Sequence, residues 1–237
     1  MRAALFALVA ACSGTEPSDA ADDPIPEAPA PPYCTPEPRA AVGTATHYAV
    51  DDAGMCSLGR AGDRGVAALG PADYAGGALC GACLLVTGPL GQVVVRVTDA
   101  CPICKPGDVD LGRDAFARIA PLEDGRVPIA WRVVACPVDG NLAYVFKDGT
   151  NPSWLGLQVR DHRYPIATVE ARAIAGEAPY KALVRTDYNY FIGTGLGPGP
   201  FAVRVTDTRG HVVEESGIAM AEPSVVRTGT RQLASCP

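Results

Sequence analysis

The sequence predicts an all-β protein with two folded parts. Short valine-rich runs of alternating apolar and polar residues recur along it, and turn signals separate them at close intervals. Glycine and proline number 26 and 22 of 237 residues, too many for long helices. A chain of this length holds one large domain or two of about 100 residues. With 48% hydrophobic residues, each half can fill a core.

In the first half, residues 42–137, the strand-like runs are 84–87, 93–98 and 129–134, with glycine-rich turns between them. One helical stretch, 113–120, places Phe116 and Ile119 three apart on one face. After Asn141 the runs 142–146, 155–159, 166–169 and 201–206 recur, with Asp148-Gly149 and Arg209-Gly210 as turns. Many short strands without a helix predict a β-sandwich. The run Val95-Arg96-Val97-Thr98-Asp99 is echoed at Val203-Arg204-Val205-Thr206-Asp207 in unmatched surroundings, which reads as shared strand-to-turn chemistry rather than duplication. A boundary is expected at residues 137–140, giving domains over 37–137 and 138–237.

The amino terminus reads as an export signal: Arg2, an apolar run over residues 3–11, then Val9-Ala10-Ala11-Cys12. Small residues before a cysteine suit a lipoprotein signal peptidase, with the Cys12 thiol as lipid acceptor. An ordinary cleaved signal is the alternative. Residues 12–36, rich in proline, alanine and acids, are expected to form an extended tether. No later apolar run approaches the roughly 18 residues of a membrane span, so membrane association is expected only through the anchor at Cys12. The protein is expected at the outer membrane or cell surface, or secreted.

Of the net charge of −6, residues 1–40 contribute −4, with two basic and six acidic side chains. Residues 41–137 carry eight basic against ten acidic groups, and 138–237 ten against ten. Neither half is a basic field, which argues against nucleic acid and against long-range attraction to an anionic polymer.

Nine cysteines become eight if Cys12 is lipidated: Cys34, Cys56, Cys80, Cys83, Cys101, Cys104, Cys136 and Cys236. An even number in an exported chain reads as four disulfides. The rival is zinc, because Cys80-x-x-Cys83 and Cys101-x-x-Cys104 lie seventeen residues apart at a zinc-ribbon spacing. Export and the four further cysteines argue against it, so no metal is expected. His47, His162 and His211 lie far apart without cysteine or carboxylate neighbours at metal spacing and read as surface or strand residues. His47 should face away from Thr46 on its strand. No phosphate loop, nucleophile elbow or metalloprotease motif is present, and no cofactor is expected.

The first constellation with chemistry is Gly43-Thr44-Ala45-Thr46-His47-Tyr48, Val97-Thr98-Asp99-Ala100-Cys101-Pro102 and Asp108-Val109-Asp110-Leu111. A strand-end aspartate, and a second between two apolar residues, sit where a carboxyl can hold a proton for a sugar hydroxyl or act as a turn cap. With Cys80-Gly81-Ala82-Cys83 and the run over 110–116, these motifs resemble the first domain of the expansin and family-45 endoglucanase superfamily. That resemblance implies a six-stranded double-psi β-barrel whose groove is lined by Thr46, Asp99 and Asp110. Asp110 matches the catalytic acid of the hydrolases, which expansins need for wall loosening. Cys101 stands where bacterial expansins commonly have a tyrosine. The hydrolases' second carboxylate falls on Val50, which cannot deprotonate the water that inverting hydrolysis requires. Asp51, one residue on, turns to the other face of a strand.

The second constellation is Lys147, Trp154, residues 157–165 and Asp187-Tyr188-Asn189-Tyr190-Phe191. It is similar to the second domain of bacterial expansins, which implies an immunoglobulin-like β-sandwich that binds cellulose through aromatic rings stacked on sugar faces. Trp154 and Tyr188 match two ring positions, Lys147 a flanking polar contact, and Ser153 stands at the third ring, with Tyr190 as its candidate substitute. The resemblance further implies the pairs Cys56 with Cys80 and Cys83 with Cys136. That leaves Cys101 with Cys104, and Cys34 with Cys236 across the ends of the folded region. The expected activity is non-hydrolytic loosening of cellulose or another neutral plant glucan by a monomer. The alternatives are a weak endoglucanase, a lytic transglycosylase acting on peptidoglycan, which needs one carboxyl only, and a polysaccharide-binding module without action on the wall.

Overall fold

A computed structural model describes residues 40–50, 54–59, 65–176, 178–223 and 225–234. The expectations for Cys12, Cys34, Cys236 and Asp51, and for the signal and tether, lie outside these residues.

Six strands of the first half close a barrel: β1 (Ala40–Tyr48), β2 (Gly65–Leu69), β3 (Cys83–Gly88), β4 (Gly91–Ala100), β5 (Val109–Gly112) and β6 (Val127–Val134). Their order around the wall is β1-β5-β2-β4-β3-β6. β1 with β5 and β2 with β4 run parallel, and the other pairs are antiparallel. Alternation along each strand sends Leu84, Val86, Val95, Val97, Val109 and Leu111 into one core with Ala45 and Phe116. Closure removes the open sheet edges that an isolated six-stranded sheet would expose.

The parallel crossings bring backbones unusually close. A Cβ on Gly43 would lie 2.2 Å from the Gly107 carbonyl oxygen, and one on Gly107, with φ of +86°, would lie 2.2 Å from the Val42 carbonyl oxygen. Only glycine fits at this crossing. Gly107 is then stitched in place: its N–H donates to Asp73 Oδ2 at 2.6 Å and its carbonyl accepts from Trp131 Nε1 at 2.8 Å.

The stretch expected to be helical over 113–120 forms a single α-helical turn, α1 (Arg113–Phe116), continued by tighter turns. Pro121 shortens it, because the residue before a proline is disfavoured in the helical region. Phe116 and Ile119 still share one fully buried face.

In the second half β7 (Ala143–Phe146), β8 (Trp154–Arg160), β11 (Val184–Arg185), β12 (Phe191–Thr194) and β15 (Val226–Thr228) form a sheet in the order β11-β12-β8-β7-β15. β9 (Ile166–Ala173), β10 (Lys181–Ala182), β13 (Phe201–Asp207) and β14 (Val212–Ile218) form another, in the order β10-β9-β13-β14. Both are antiparallel, and Tyr144, Phe146, Leu155 and Leu157 of one pack against Val169, Phe201, Val203 and Val205 of the other. The echoed segments end alike: Asp99 Oδ1 accepts the N–H groups of Met55 and Ala100, and Asp207 Oδ1 those of Arg209 and His211.

Among the described residues, three disulfides join Cys56 with Cys80, Cys83 with Cys136 and Cys101 with Cys104. The four cysteines with zinc-ribbon spacing thus go to three different bridges. Among the described residues no helix is long and apolar enough to cross a membrane.

His47 is a strand residue as expected, whereas His162 is neither on the surface nor on a strand. His47 lies on the face of β1 opposite Thr46, its ring edge-on to Phe116 at 4.8 Å. His211 does have a carboxylate neighbour: its Nδ1 is 2.9 Å from Asp207 Oδ2, four residues earlier. His162 is 2% exposed, wedged between barrel and sandwich. Its Nδ1 donates to the Tyr164 carbonyl at 2.7 Å, while Nε2 sits 2.6 Å from where a Cβ on Gly81 would be.

Burial, reinforced by the nearby Arg96 guanidinium, pushes the His162 imidazole down to about 4 from its ordinary 6.5. Between those values the unfolded chain binds the proton that the folded chain refuses, so stability rises with pH. The contribution is fully present above pH about 6.5 and is lost as pH falls through about 4, amounting to about 3 kcal/mol. Urea unfolding at pH 7, 5 and 4 checks it: His162→Gln should flatten the acid limb, and an unchanged slope would exclude His162 as its source.

Candidate functional site

β2 brings the predicted groove residues into one row. In the parallel pair of β1 and β5, Thr46 stands opposite Asp110. Ala68 of β2 stands opposite Asp110 on one side and Asp99 on the other. The row across the wall is therefore Thr46, Asp110, Ala68, Asp99. With strands about 4.8 Å apart, the two aspartates lie about 10 Å apart at their Cα atoms. Ala68 between them has no bulk to fill the trough.

Val109 and Leu111 are fully buried in the barrel, so alternation turns half-buried Asp110 outward. The Thr46 hydroxyl donates to Asp110 Oδ1 at 2.6 Å, within the range of a charge-assisted O–H···O⁻ bond. That bond fixes the carboxyl plane and leaves Oδ2 for an external hydroxyl. Asp99 is spent differently, because its Oδ1 holds the loop at Met55 by a backbone N–H at 2.7 Å. Val50, 49% exposed, provides no acid or base.

The outward face of β8 carries Trp154, Gly156, Gln158 and Arg160, while Leu155, Leu157 and Val159 are buried. Trp154, at the start of the strand, is half-buried, whereas Gly156 and Gln158 on the same face are covered. Its indole lies over Gly156, where a Cβ would meet Trp154 Cη2 at 3.0 Å and Lys147 Cβ at 2.8 Å. Lys147 Nζ reaches 5.3 Å from the Tyr188 ring and 5.4 Å from the Tyr190 ring, a cation–π cluster.

Tyr188 and Tyr190 do not lie on a regular strand. Asn189 has φ of 63°, and Thr186 closes a turn through its hydroxyl, which accepts from the Tyr190 N–H at 3.1 Å and donates to the Tyr190 carbonyl at 2.9 Å. The turn sets the two rings side by side at 6.1 Å. They are not equivalent: Tyr188 is half-buried, whereas Tyr190 is only 9% exposed. Burial pushes its phenol up, partly offset by the adjoining Arg160 guanidinium. Tyr190 therefore lies beneath Lys147 and Tyr188, while Ser153 is exposed.

One loop joins groove to platform. The Cys56 N–H donates to the Thr98 carbonyl at 3.1 Å, beside Asp99. On its other side, the Cys56 carbonyl accepts from Gln158 Nε2 at 3.0 Å and Asn189 Nδ2 at 3.3 Å, and the Ser57 carbonyl from Arg160 Nη2 at 2.9 Å. Tyr74 Oη donates to the Asp187 carbonyl at 2.5 Å and Arg185 Nη1 to the Gly77 carbonyl at 3.1 Å. Sequence reasoning included Gln158 and Asn189 in its second constellation without giving them a role, and it passed over Gly156. The polar face of β8 was readable by alternation, but a partner such as the Cys56 carbonyl leaves no side-chain signal. Among the described residues no cluster of three ligating side chains could hold a metal.

No protein-family model matches the chain. Expansin-YoaJ of Bacillus subtilis (strain 168) is 37% identical over 179 residues, covering 74% of this chain and 74% of its own. Expansin-like protein 1 of Dictyostelium discoideum is 32% identical over 184 residues, 72% of this chain and 64% of its own. The crystal structure of apo Clavibacter michiganensis expansin superposes with a TM-score of 0.76 at 34% identity, covering 82% of this chain and 98% of that one. A mutant of that expansin in complex with cellohexaose matches with the same TM-score at 33% identity.

The seat under Trp154 can be tested without a ligand. Gly156→Ala should push Lys147 and the indole outward at a cost of about 1–2 kcal/mol. Acrylamide quenching reads it, because Trp131, the other of two tryptophans, is 4% exposed. Quenching should rise; an unaltered quenching constant would show that Gly156 does not seat the ring.

Proposed function

The chain belongs to the expansin family, and from that premise we propose that it binds cellulose or a related neutral cell-wall glucan and loosens the wall without cutting it. The carrying observation is that one loop, at residues 54–57, holds the row Thr46, Asp110, Ala68, Asp99 beside the platform of Trp154, Lys147 and Tyr188. We read residues 37–137 and 138–237 as the family's two modules, the latter immunoglobulin-like. We also read Cys12 as the lipid-anchored start of a monomer exported by residues 1–11.

In this reading the apolar faces of sugar rings stack on Trp154 and Tyr188, and Lys147 donates to their hydroxyls. Asp110 Oδ2 accepts from a hydroxyl further along the same chain. Binding at the platform raises the local concentration of that chain at the groove. Each contact replaces one between neighbouring glucans, so the network slips without a broken bond. The near-balanced charge of both halves suits a neutral polymer.

A weak endoglucanase is the second reading, favoured by the placement of Asp99 and Asp110 across Ala68. Two carboxyls about 6.5–9.5 Å apart can serve as acid and base. Against it, Asp99 Oδ1 already accepts two backbone N–H groups, which hold the carboxyl in place against the loop. A lytic transglycosylase would instead release anhydro-muropeptides from peptidoglycan.

Trp154→Ala and Tyr188→Ala should each weaken cellulose binding about tenfold, from the loss of about 1–2 kcal/mol of apolar contact. Their melting temperatures should stay near that of the parent, and strong destabilisation would remove the residue from the platform. Asp110→Asn keeps the volume and one oxygen. It should bind cellulose normally yet lose wall creep under load, with no reducing sugar released by either protein. Sugar release by the parent that Asp110→Asn and Asp99→Asn both abolish would establish the endoglucanase instead.

A further inference from the structure

The bridges differ sharply in access. Cys56, Cys80, Cys83 and Cys136 are 0%, 1%, 2% and 2% exposed. The first bridge lies by Tyr74, whose hydroxyl is 3.8 Å and 3.2 Å from its two sulfurs, beneath the junction with the sandwich. The second is packed with Leu85, Val134 and Val138. Cys101 is 7% exposed and Cys104 half-buried, between Ile103 at 93% and exposed Lys105.

We propose that Cys101-Pro102-Ile103-Cys104 is a thiol–disulfide exchange site on the groove rim, where external dithiols reduce the folded protein. A thiolate of the dithiol attacks Cys104 Sγ, the more exposed end, approached past the Lys105 ammonium. The Cys104–Cys101 bond breaks, a mixed disulfide forms on Cys104, and Cys101 leaves as a thiolate that takes a proton. The second thiol of the reagent then closes on its own mixed-disulfide sulfur, expelling the Cys104 thiol. One dithiol becomes a cyclic disulfide as two electrons and two protons pass to the chain. The chemistry requires of the reagent two thiols that can close on each other.

The surrounding backbone is built to survive the exchange. A bridge closing so short a loop, with a sequence separation of 3 against 24 and 53 for the others, constrains the unfolded chain least. Without it the turn is still held by the Cys101 N–H on the Leu69 carbonyl at 2.8 Å and the Cys104 N–H on the Cys101 carbonyl at 3.1 Å. Downstream, the Gly107 N–H bonds to Asp73 at 2.6 Å and the Thr44 N–H to Asp108 at 2.9 Å. The site lies between β4, which ends just after Asp99, and β5, which carries Asp110.

The test treats the full folded chain with graded dithiothreitol, traps thiols with iodoacetamide and maps the labelled peptides. Cys101 and Cys104 should be labelled at least about tenfold faster than Cys56, Cys80, Cys83 and Cys136, with one dithiol consumed in that phase and the circular dichroism unchanged. Labelling of any of those four at the same rate, or labelling of Cys101 and Cys104 only together with loss of the folded spectrum, overturns the proposal. The variant Cys101→Ser/Cys104→Ser should keep the folded spectrum and lose the fast phase. A fast phase that persists in it would assign the exchange elsewhere.

Discussion

The arrangement of the molecule depends on one buried amide. Gln158 is fully buried on the outward face of a strand, where a polar side chain is stable only if all its groups are paired. Its Nε2 donates to the Cys56 carbonyl of the barrel and the Asn189 carbonyl of the sandwich, and its Oε1 accepts from Arg160 Nε at 2.5 Å. The same Cys56 carbonyl takes a second bond from Asn189. A lateral shift of either half would strand several buried donors and acceptors together, each at a cost of about 1–3 kcal/mol. That sets one relation between groove and platform far more firmly than a short connecting segment alone.

The barrel supplies what the junction then orients. Its parallel crossings need Gly43 and Gly107 in backbone contact, and they deliver β5 between β1 and β2. Only in that order does Asp110 gain Thr46 on one side and Ala68 on the other. The groove is therefore a consequence of barrel topology, and its chemistry needs no mobile loop for assembly. Asp99 has a divided part in it, closing the row while its Oδ1 clamps the loop that carries Met55 and Cys56.

Much of this was legible in the sequence. Strands with valine alternation, β3, β4, β6, β8 and β13, stand where periodicity placed them. β2, β5 and β12 escape because five or four residues, several of them Ala or Gly, carry too little pattern. β14 escapes because Glu215, at an inward position, is buried against Thr230, whose hydroxyl donates to it at 2.7 Å. Thr46, Asp99 and Asp110 were found by motif, but their sharing of one row is a matter of register that no motif encodes. The place of Tyr190 was not legible because the turn at Asn189 breaks the alternation that its spacing from Tyr188 would have on a strand. His162 was misjudged because its burial arises from the other half of the chain.

The two-ring platform also bears on how such a protein would work. Sugar stacking on a third ring at position 153 would strengthen binding, and affinity differences between related interfaces fall mostly on the dissociation rate. A loosening agent has to leave each glucan contact it makes in order to open the next. In the proposed function, a platform of Trp154 and Tyr188, backed by Lys147 and by Tyr190 beneath, would keep the geometry of stacking while shortening each stay. The groove, held at a set distance by the Gln158 junction, would then meet the same chain repeatedly and share the work of displacing neighbouring glucans. Weak sites on a stiff frame favour exchange over capture.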